Sequence, residues 1–260
     1  MQTDMPRKYW RNLPEASMIK PLIESAGRTT DAMIGHEASE PHKAQKRLEP
    51  AMPRKTVGSS DLEALREEAA SCRACPLWKN ATQTVFGEGP THARVMLVGE
   101  QPGDKEDLAG KPFVGPAGRI LDAALKDAGI AREDTFVTNA VKHFKHEMRG
   151  KRRLHKRPNN YEIERCKIWL ERERDLVKPA TIIALGVTAA RSLTGKTVTI
   201  AKMRRTPVEL ADGTKLVVTI HPSALLRIED EGDKHAAYRD FVADLKAARA
   251  AAGKAPAKAK

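Results

Sequence analysis

Residues 95–103 read VMLVGEQPG, and this stretch decides the fold class. Its first four residues are apolar without alternation, which is typical of a strand buried on both faces of a sheet. The glycines and the proline that follow make a tight turn at the end of that strand. Three more short apolar runs, which begin at Phe136, Ile182 and Leu216, also end at a turn or a polar residue. The repetition predicts four buried strands.

Stretches with helical periodicity separate these apolar runs. Strands that alternate with helices predict an α/β fold, with three layers (α/β/α) around a central four-stranded, mostly parallel sheet. Residues 203–210 are expected to add a small hairpin arm or an edge strand. The helical stretches are residues 62–72, 117–128, 161–177, 188–193 and 235–251.

Composition divides the chain into a compact domain and two flanking segments. Residues 61–250 contain the predicted strands and nearly all of the last helix, and we expect them to form one domain. Residues 1–60 are mostly polar and charged and are expected to be an N-terminal extension and linker, with a short amphipathic remnant of an upstream fused domain at residues 9–23. The Ala/Lys-rich residues 251–260 are expected to be a disordered basic tail.

The chain carries a formal net charge of +12. Such an excess attracts polyanions, of which nucleic acid is the commonest, although lysines in the tail contribute part of it. No apolar run approaches the roughly 20 residues that span a bilayer, and residues 1–11 lack the apolar segment of a signal peptide. We therefore expect a protein of the bacterial cytoplasm or nucleoid that binds a polyanion such as nucleic acid and no membrane. We also expect it to be a monomer.

The charge is most concentrated in residues 149–157, where six of nine residues are cationic. We interpret this run as a loop that contacts DNA phosphates, chiefly through Lys151, Arg152 and Arg153. His155 lies inside the run, where neighbouring cations disfavour its protonation. A neutral imidazole is the nucleophilic form, so the position suits attack chemistry as well as simple packing.

Polar residues follow three of the predicted strands: Glu100, Asn139 and His221. Ligands of parallel sheets bind beyond the carboxyl ends of the strands, so these side chains should converge on one site. The carboxamide of Asn139 can pair with the edge of a pyrimidine, and the imidazole of His221 can stabilise a developing anion. Each has a structural alternative, because Asn139 can cap the next segment and a histidine at a strand end is often structural.

Phe113 lies in a loop framed by proline and glycine, in a chain with only 4% aromatic residues. An aromatic ring near the site can replace the stacking that a base loses when it is flipped out of DNA. A ring that simply packs under its own loop is the alternative.

The three cysteines, Cys72, Cys75 and Cys166, favour a metal site over a disulfide framework, because their number is odd and no secretion signal is evident. His143 and His146 offer a fourth ligand. Zinc accepts three thiolates and an imidazole, whereas an iron–sulfur cluster usually takes four thiolates. The residues alone leave both metals open.

Four motifs occur in an order that resembles one branch of a known family. They are GEQPGDKEDLAGKPFVGPAGR from residue 99, FVTNAVKHFK from residue 136, KRRLHK from residue 151 and HPSALLR from residue 221. Together they resemble UdgX, the branch of the iron–sulfur (family 4-like) uracil-DNA glycosylases whose members form a covalent complex with uracil-containing DNA. The resemblance extends from about residue 62 to residue 247.

The resemblance implies a role for each matching residue. Phe113 would stack on uracil, Asn139 would read its edge, and His221 would stabilise the departing anion. Glu100 would orient His155 by a hydrogen bond, and His155 would attack the anomeric carbon of the deoxyribose. The other implied site residues are Gln101 (catalytic), Asp104 and Asp107 (substrate-binding), and Ser223, Leu225, Leu226 and Arg227 (DNA-binding, with the two leucines as the wedge that fills the gap in the duplex).

The resemblance also implies a cofactor, a partner and a reaction. Cys72, Cys75, His143 and Cys166 would hold a [4Fe-4S] cluster in preference to zinc. The partner would be uracil-containing DNA, single-stranded by preference, and the reaction a single turnover that ends in covalent capture through His155. The alternatives are a conventional multiple-turnover uracil-DNA glycosylase and a non-catalytic, metal-stabilised DNA-binding module.

Overall fold

The computed structural model of the protein describes residues 59–253. Residues 1–58 of the predicted N-terminal extension and most of the predicted basic tail lie outside the described residues, and Ser59 and Ser60 begin the first helix. Residues 251 and 252, which we had placed in the disordered tail, continue the last helix. None of the helices in residues 59–253 is long and apolar enough to cross a membrane.

The described chain alternates between helices and strands, as the sequence predicts. The helices are α1 (Ser59–Ala70), α2 (Asp104–Ala109), α3 (Pro116–Ala128), α4 (Asn160–Val177), α5 (Val187–Thr194), α6 (Ile200–Met203), α7 (Pro222–Leu225) and α8 (Glu231–Ala252). The strands are β1 (Val95–Gly99), β2 (Thr135–Asn139), β3 (His146–Arg149), β4 (Arg152–His155), β5 (Thr181–Leu185), β6 (Val208–Glu209) and β7 (Lys215–Thr219).

The central sheet has the strand order β2-β1-β5-β7-β6. The first four strands are parallel, and β6 pairs antiparallel with β7 at the edge. The three-layer α/β fold with a mostly parallel sheet is therefore confirmed. The sheet has five strands rather than four, because the stretch expected to form a hairpin arm or an edge strand contributes β6.

Both faces of the sheet are covered, which explains why its strands are apolar without alternation. Met96 and Val98 of β1 belong to a core that also contains side chains of α1, α4 and α5. Val95 and Leu97 belong to a second core, which α3 and α8 complete. Adjacent residues of a strand point to opposite faces, so a single apolar run serves both cores.

Strands β3 and β4 form a separate two-stranded hairpin instead of the basic loop that we expected. Arg149 pairs with Arg152, and the turn between them has Gly150 at φ 61°. The turns of two-residue hairpins need a positive φ at their first residue, and glycine adopts this conformation readily. The sequence did not predict this strand pairing, because a run of cationic residues shows no pattern that is typical of a strand.

Candidate functional site

The polar residues at the strand ends converge, as the parallel topology predicts. Gly99 ends β1 and lies between Asn139 and Phe113. A Cβ atom added at Gly99 would come within 2.3 Å of Asn139 Oδ1 and 2.6 Å of Phe113 Cζ. The absence of a side chain at residue 99 therefore allows the carboxamide and the aromatic ring to approach each other.

Phe113 forms an aromatic wall of the site. Its ring stacks on His221, with the centroids 5.8 Å apart and the planes inclined by 29°. Its backbone has φ 56°, which is unusual for a residue with a side chain and is stabilised only by its surroundings. Glu106, a residue that the sequence analysis missed, helps to fix this loop by accepting the backbone N–H of Gly115 at 2.7 Å.

Asn139 offers an unused hydrogen-bond acceptor to the site. The residue is 2% exposed, and its Oδ1 atom is buried without a hydrogen-bond partner. Buried polar atoms are nearly always hydrogen-bonded, so an unpaired acceptor beside an aromatic wall suits a ligand that brings an N–H group.

Behind Asn139, a buried ion pair ties the end of β2 to α4. Lys142 Nζ lies 2.7 Å from the Glu173 carboxylate, and both side chains are fully buried. The same ammonium donates to the backbone oxygen of Asn139 at 2.8 Å. These two residues were also missed from the sequence, since neither lies in a strand-end turn.

His221 is held as a neutral hydrogen-bond donor. Its Nδ1 atom accepts the backbone N–H of Ser223 at 3.2 Å, so the neutral ring carries its proton on Nε2. Desolvation lowers the pKa of His221 to about 4, with the cationic form of His155 acting in the same direction and Glu100 against it. The imidazole is therefore uncharged at neutral pH. Ser223, which was expected to bind DNA, instead orients this ring.

Glu100 lies between two parts of the site. Its Oε2 atom accepts a 2.5 Å hydrogen bond from Thr188, which lies in the first turn of α5. The sequence did not predict Thr188 as a site residue. Its Oε1 atom lies 3.8 Å from His155 Nε2, near enough for electrostatic attraction but longer than a hydrogen bond. Arg157 approaches the same carboxylate at 3.5 Å.

His155 is the last residue of β4, and its side chain lies at the site beside Glu100. Desolvation lowers its pKa, as does the nearby Arg157, while Glu100 acts in the opposite direction. The imidazole is therefore neutral at physiological pH, and its side chain remains 38% exposed. A neutral, accessible imidazole can act as a nucleophile.

Gln101 holds the base of the hairpin instead of facing a substrate. Its side-chain nitrogen donates to the backbone oxygens of Lys145 and Lys156, at 3.1 and 3.0 Å, and its oxygen accepts the backbone N–H of Lys145 at 3.3 Å. One carboxamide thus joins the residue before β3 to the residue after β4. These contacts give Gln101 a structural role at the hairpin, and its expected catalytic role stays a prediction.

Asp104 and Asp107 also hold the hairpin, although we expected them to bind substrate. Arg153 of β4 donates from Nε to Asp104 at 2.7 Å and from Nη1 to Asp107 at 2.5 Å. Asp107 is fully buried and accepts the backbone N–H of Thr82 as well. Arg153 is consequently an internal anchor rather than a phosphate contact. Lys151 and Arg152 lie at the exposed tip.

The residues after His221 divide between core and surface. Leu225 is 2% exposed and packs in the core that α3 and α8 complete, so its side chain does not reach the surface where a DNA wedge would act. Leu226 and Arg227 are partly exposed at the end of α7. Of the two leucines, Leu226 remains the candidate wedge.

The three cysteines are buried free thiols, and each accepts a nearby N–H group. Trp169 Nε1 donates to Cys72 Sγ at 3.1 Å, the backbone N–H of Lys142 donates to Cys166 Sγ at 3.2 Å, and Leu77 donates to Cys75. N–H groups directed at sulfur stabilise the thiolate form that binds metals. Without a metal, desolvation raises the pKa of Cys166 to about 12.

His143 presents a free lone pair in the same region. Thr84 donates its hydroxyl proton to Ala69, so it accepts the Nε2 proton of His143 at 3.0 Å. The Nδ1 atom of His143 is then the unprotonated nitrogen, and it is buried without a partner. Desolvation lowers the pKa of His143 to about 4, which keeps the ring neutral. Among the described residues, no group of three or more His, Cys, Asp or Glu side chains is close enough to hold a single metal ion.

Comparison with known proteins gives consistent similarities. The model of the uracil DNA glycosylase superfamily matches residues 86–246, which include the sheet, the strand-end residues and the hairpin. The type-4 uracil-DNA glycosylase of Thermotoga maritima is 39% identical over 167 residues, covering 64% of this chain and 83% of that protein. The type-4 enzymes of Pyrobaculum aerophilum and Archaeoglobus fulgidus are 37% and 34% identical, and the matches cover 85% and 83% of their lengths.

Proposed function

Because the chain belongs to the uracil-DNA glycosylase superfamily, we propose that it excises uracil from DNA and then captures the deoxyribose covalently through His155, as in the UdgX branch. Excision is what the type-4 relatives are named for. The capture step rests on one observation, the neutral imidazole of His155 lying 3.8 Å from Glu100 at the mouth of the site.

The site accounts for recognition of a flipped pyrimidine. Phe113 supplies a flat surface for stacking, which is worth about 1–3 kcal/mol per base. The unpaired Oδ1 atom of Asn139 can accept the ring N–H of uracil. Cytosine lacks that ring proton, so the same acceptor discriminates against it.

Excision breaks the bond between the anomeric carbon and N1 of uracil, and the electron pair leaves with the base. The Nε2 proton of His221 can donate a hydrogen bond to the resulting anion without charging the imidazole. The sugar becomes cationic as the base departs, and the Glu100 carboxylate provides nearby negative charge.

Capture forms a new bond from an imidazole nitrogen of His155 to the anomeric carbon. The alkylated ring then loses its remaining N–H proton, for which Glu100 is the nearest carboxylate acceptor. In the balance, uracil gains one proton, His155 loses one, and one carbon–nitrogen bond replaces another. No water is consumed, so the protein remains attached to the DNA after a single turnover.

We further propose that Cys72, Cys75, His143 and Cys166 hold a [4Fe-4S] cluster. The three thiols each accept an N–H group, and the free Nδ1 lone pair of His143 is buried without a partner, so the donors fit such a group. When bound, the cluster would join the segment after α1 to α4 and to the loop after β2 without taking part in excision. Brown colour and visible absorbance in purified protein, lost on Cys166→Ser substitution, would support the cluster over zinc.

The exposed cations at the hairpin tip, Lys151 and Arg152, support a DNA partner on that side of the site. We propose single-stranded DNA as the preferred substrate, a monomeric protein and a cytoplasmic location. Competition between single- and double-stranded uracil oligonucleotides, and sedimentation of the free protein, would test the first two.

The decisive experiment uses a labelled single-stranded oligonucleotide that contains one uracil. We expect a shifted band that survives heat and detergent, with no more than one free uracil released per protein. His155→Ala should abolish the band while still releasing uracil, because water then reaches the sugar cation. A band that persists in His155→Ala would contradict capture through this residue.

Two other outcomes would favour the alternatives. Release of many uracils per wild-type protein without a stable band would favour a conventional glycosylase whose hairpin only binds phosphate. Equal affinity for uracil- and thymine-containing DNA, without base release, would favour a non-catalytic binding module.

A further inference from the structure

Phe144 is a large side chain whose burial neither core explains. It is 1% exposed, yet it belongs to neither of the two hydrophobic cores that cover the sheet. Its ring contacts are instead with side chains of the hairpin. An aromatic residue buried under a small hairpin that carries the nucleophile is in a position to influence the chemistry.

One face of the hairpin rests on this ring. His146 and His155 are directly paired across β3 and β4, and Arg153 is two residues from His155, so all three side chains share a face. Phe144 stacks on His146, with centroids 5.0 Å apart and planes inclined by 25°. The guanidinium carbon of Arg153 lies 5.4 Å from the centre of the same ring.

The same ring meets His155 itself. The centroids of Phe144 and His155 are 6.1 Å apart and the planes are tilted by 46°, within the usual range for interacting aromatic pairs. Gln101 fixes the backbone at the two ends of the hairpin, but it does not contact the imidazole ring. Phe144 is therefore a buried aromatic ring against which the imidazole of His155 rests.

We propose that Phe144 is a positioning residue for His155, and that its ring holds the imidazole ready so that capture of the sugar precedes attack by water. This inference rests on the proposed function. Two nucleophiles, imidazole and water, compete for the same short-lived cation. Their competition is sensitive to orientation, since a misplacement of about 1 Å can reduce a reaction rate about a hundredfold.

The test replaces the ring while nearly preserving its volume. In the full chain, Phe144→Met removes the aromatic contacts, and Phe241→Met is the matched control, because Phe241 is fully buried in the core that α3 and α8 complete. Each variant is mixed with a labelled single-stranded uracil oligonucleotide. Free uracil, covalent complex and released abasic oligonucleotide are then measured in the same reaction.

We expect Phe144→Met to release uracil at close to the wild-type rate but to lower the ratio of covalent complex to free abasic product about tenfold. Phe241→Met should keep the wild-type ratio. An unchanged ratio in Phe144→Met would overturn the proposal, and so would a parallel loss of excision and capture accompanied by a lower melting temperature, which would indicate a general structural role. If the wild-type protein forms no covalent complex, the proposed capture itself fails, and this outcome is distinct from both.

Discussion

The guanidinium of Arg153 lies 2.5 Å from the carboxylate of Asp107, and that carboxylate is fully buried. Because the arginine side chain is only 17% exposed, most of this ion pair is shielded from water. The contact joins the hairpin to α2, which follows the turn that carries Glu100. His155 and the Glu100 carboxylate that faces it are thus held by elements that are tied to each other.

Arg153→Gln should therefore destabilise the protein and slow capture. Breaking a buried ion pair leaves one charge without its partner and costs about 3–5 kcal/mol. Urea unfolding would measure the loss of stability, and the denaturing gel would measure capture. The double variant Arg153→Gln with Asp107→Asn should recover part of the stability, because it removes the unpaired charge.

The salt dependence of DNA binding separates this anchoring role from a phosphate contact. A residue that neutralises one phosphate contributes about one unit to the slope of log affinity against log salt. We expect Arg153→Gln to leave that slope unchanged and Lys151→Ala, at the exposed tip, to lower it. A lower slope for Arg153→Gln would return this residue to the phosphate contacts predicted from the sequence.

Gly99→Ala should block the site while leaving the fold intact. The added Cβ atom would come within 2.3 Å of Asn139 Oδ1 and 2.6 Å of Phe113 Cζ, far closer than atoms can approach without displacement. We expect excision to fall by at least about a hundredfold, because the two groups proposed to recognise uracil would be displaced. Single-turnover uracil release is the measurement, and an unchanged circular dichroism spectrum is the control. Wild-type activity in this variant would contradict the assigned pocket.

The stability of the protein should decrease in mild acid, in part through His221. Desolvation lowers the pKa of this histidine to about 4, whereas an unfolded histidine titrates near 6.5. Between these values the unfolded chain binds more protons, so the free energy of unfolding falls as the pH decreases from about 6.5 towards 4 and is unaffected above that range. His221→Gln should lose this contribution and show a flatter profile.

Urea unfolding at pH 7.5 and pH 5 would compare the two proteins. The relevant quantity is the difference between the pH dependence of the wild type and that of the variant, because other buried histidines such as His143 contribute equally to both. Identical profiles would mean that folding does not lower the pKa of His221, contrary to what its burial and its bond from the Ser223 backbone N–H imply.

The sequence predicted the layers of the fold and the convergence of Glu100, Asn139 and His221 because both depend on local patterns. Apolar runs without alternation indicate buried parallel strands, and parallel strands bring their carboxyl ends to one edge of the sheet. The fifth strand was only suggested, since β6 has two residues, too few to show a strand pattern in the sequence.

The roles of Gln101, Asp104 and Asp107 could not be predicted in the same way. All three lie shortly after β1, Gln101 in the turn and the two aspartates in α2, so the sequence pattern assigned them to the ligand. Their actual partners, the backbone around the hairpin and Arg153, lie more than forty residues further along the chain. Only the folded chain reveals that these polar groups are already occupied.

Leu225 illustrates a related limit. Two adjacent leucines at the end of a short helix both suit a wedge, but neighbouring side chains on a helix point in different directions. The structure directs Leu225 into the core and leaves Leu226 partly exposed. Helix orientation, which composition does not specify, decided between them.

Within residues 59–253, strands β3 and β4 pair only with each other and lie outside the five-stranded sheet. His155 is consequently carried on an appendage that can vary without changing the strand order of that sheet, provided that Asp107, whose buried carboxylate pairs with Arg153, changes with it. Related proteins with the same sheet could then differ in whether they release their DNA. The difference would depend on whether they have these dozen residues and the side chains that hold them in place. A corresponding experiment would transfer this segment, together with Gln101, into a related glycosylase that turns over many times. The expected result is a protein that labels uracil sites permanently.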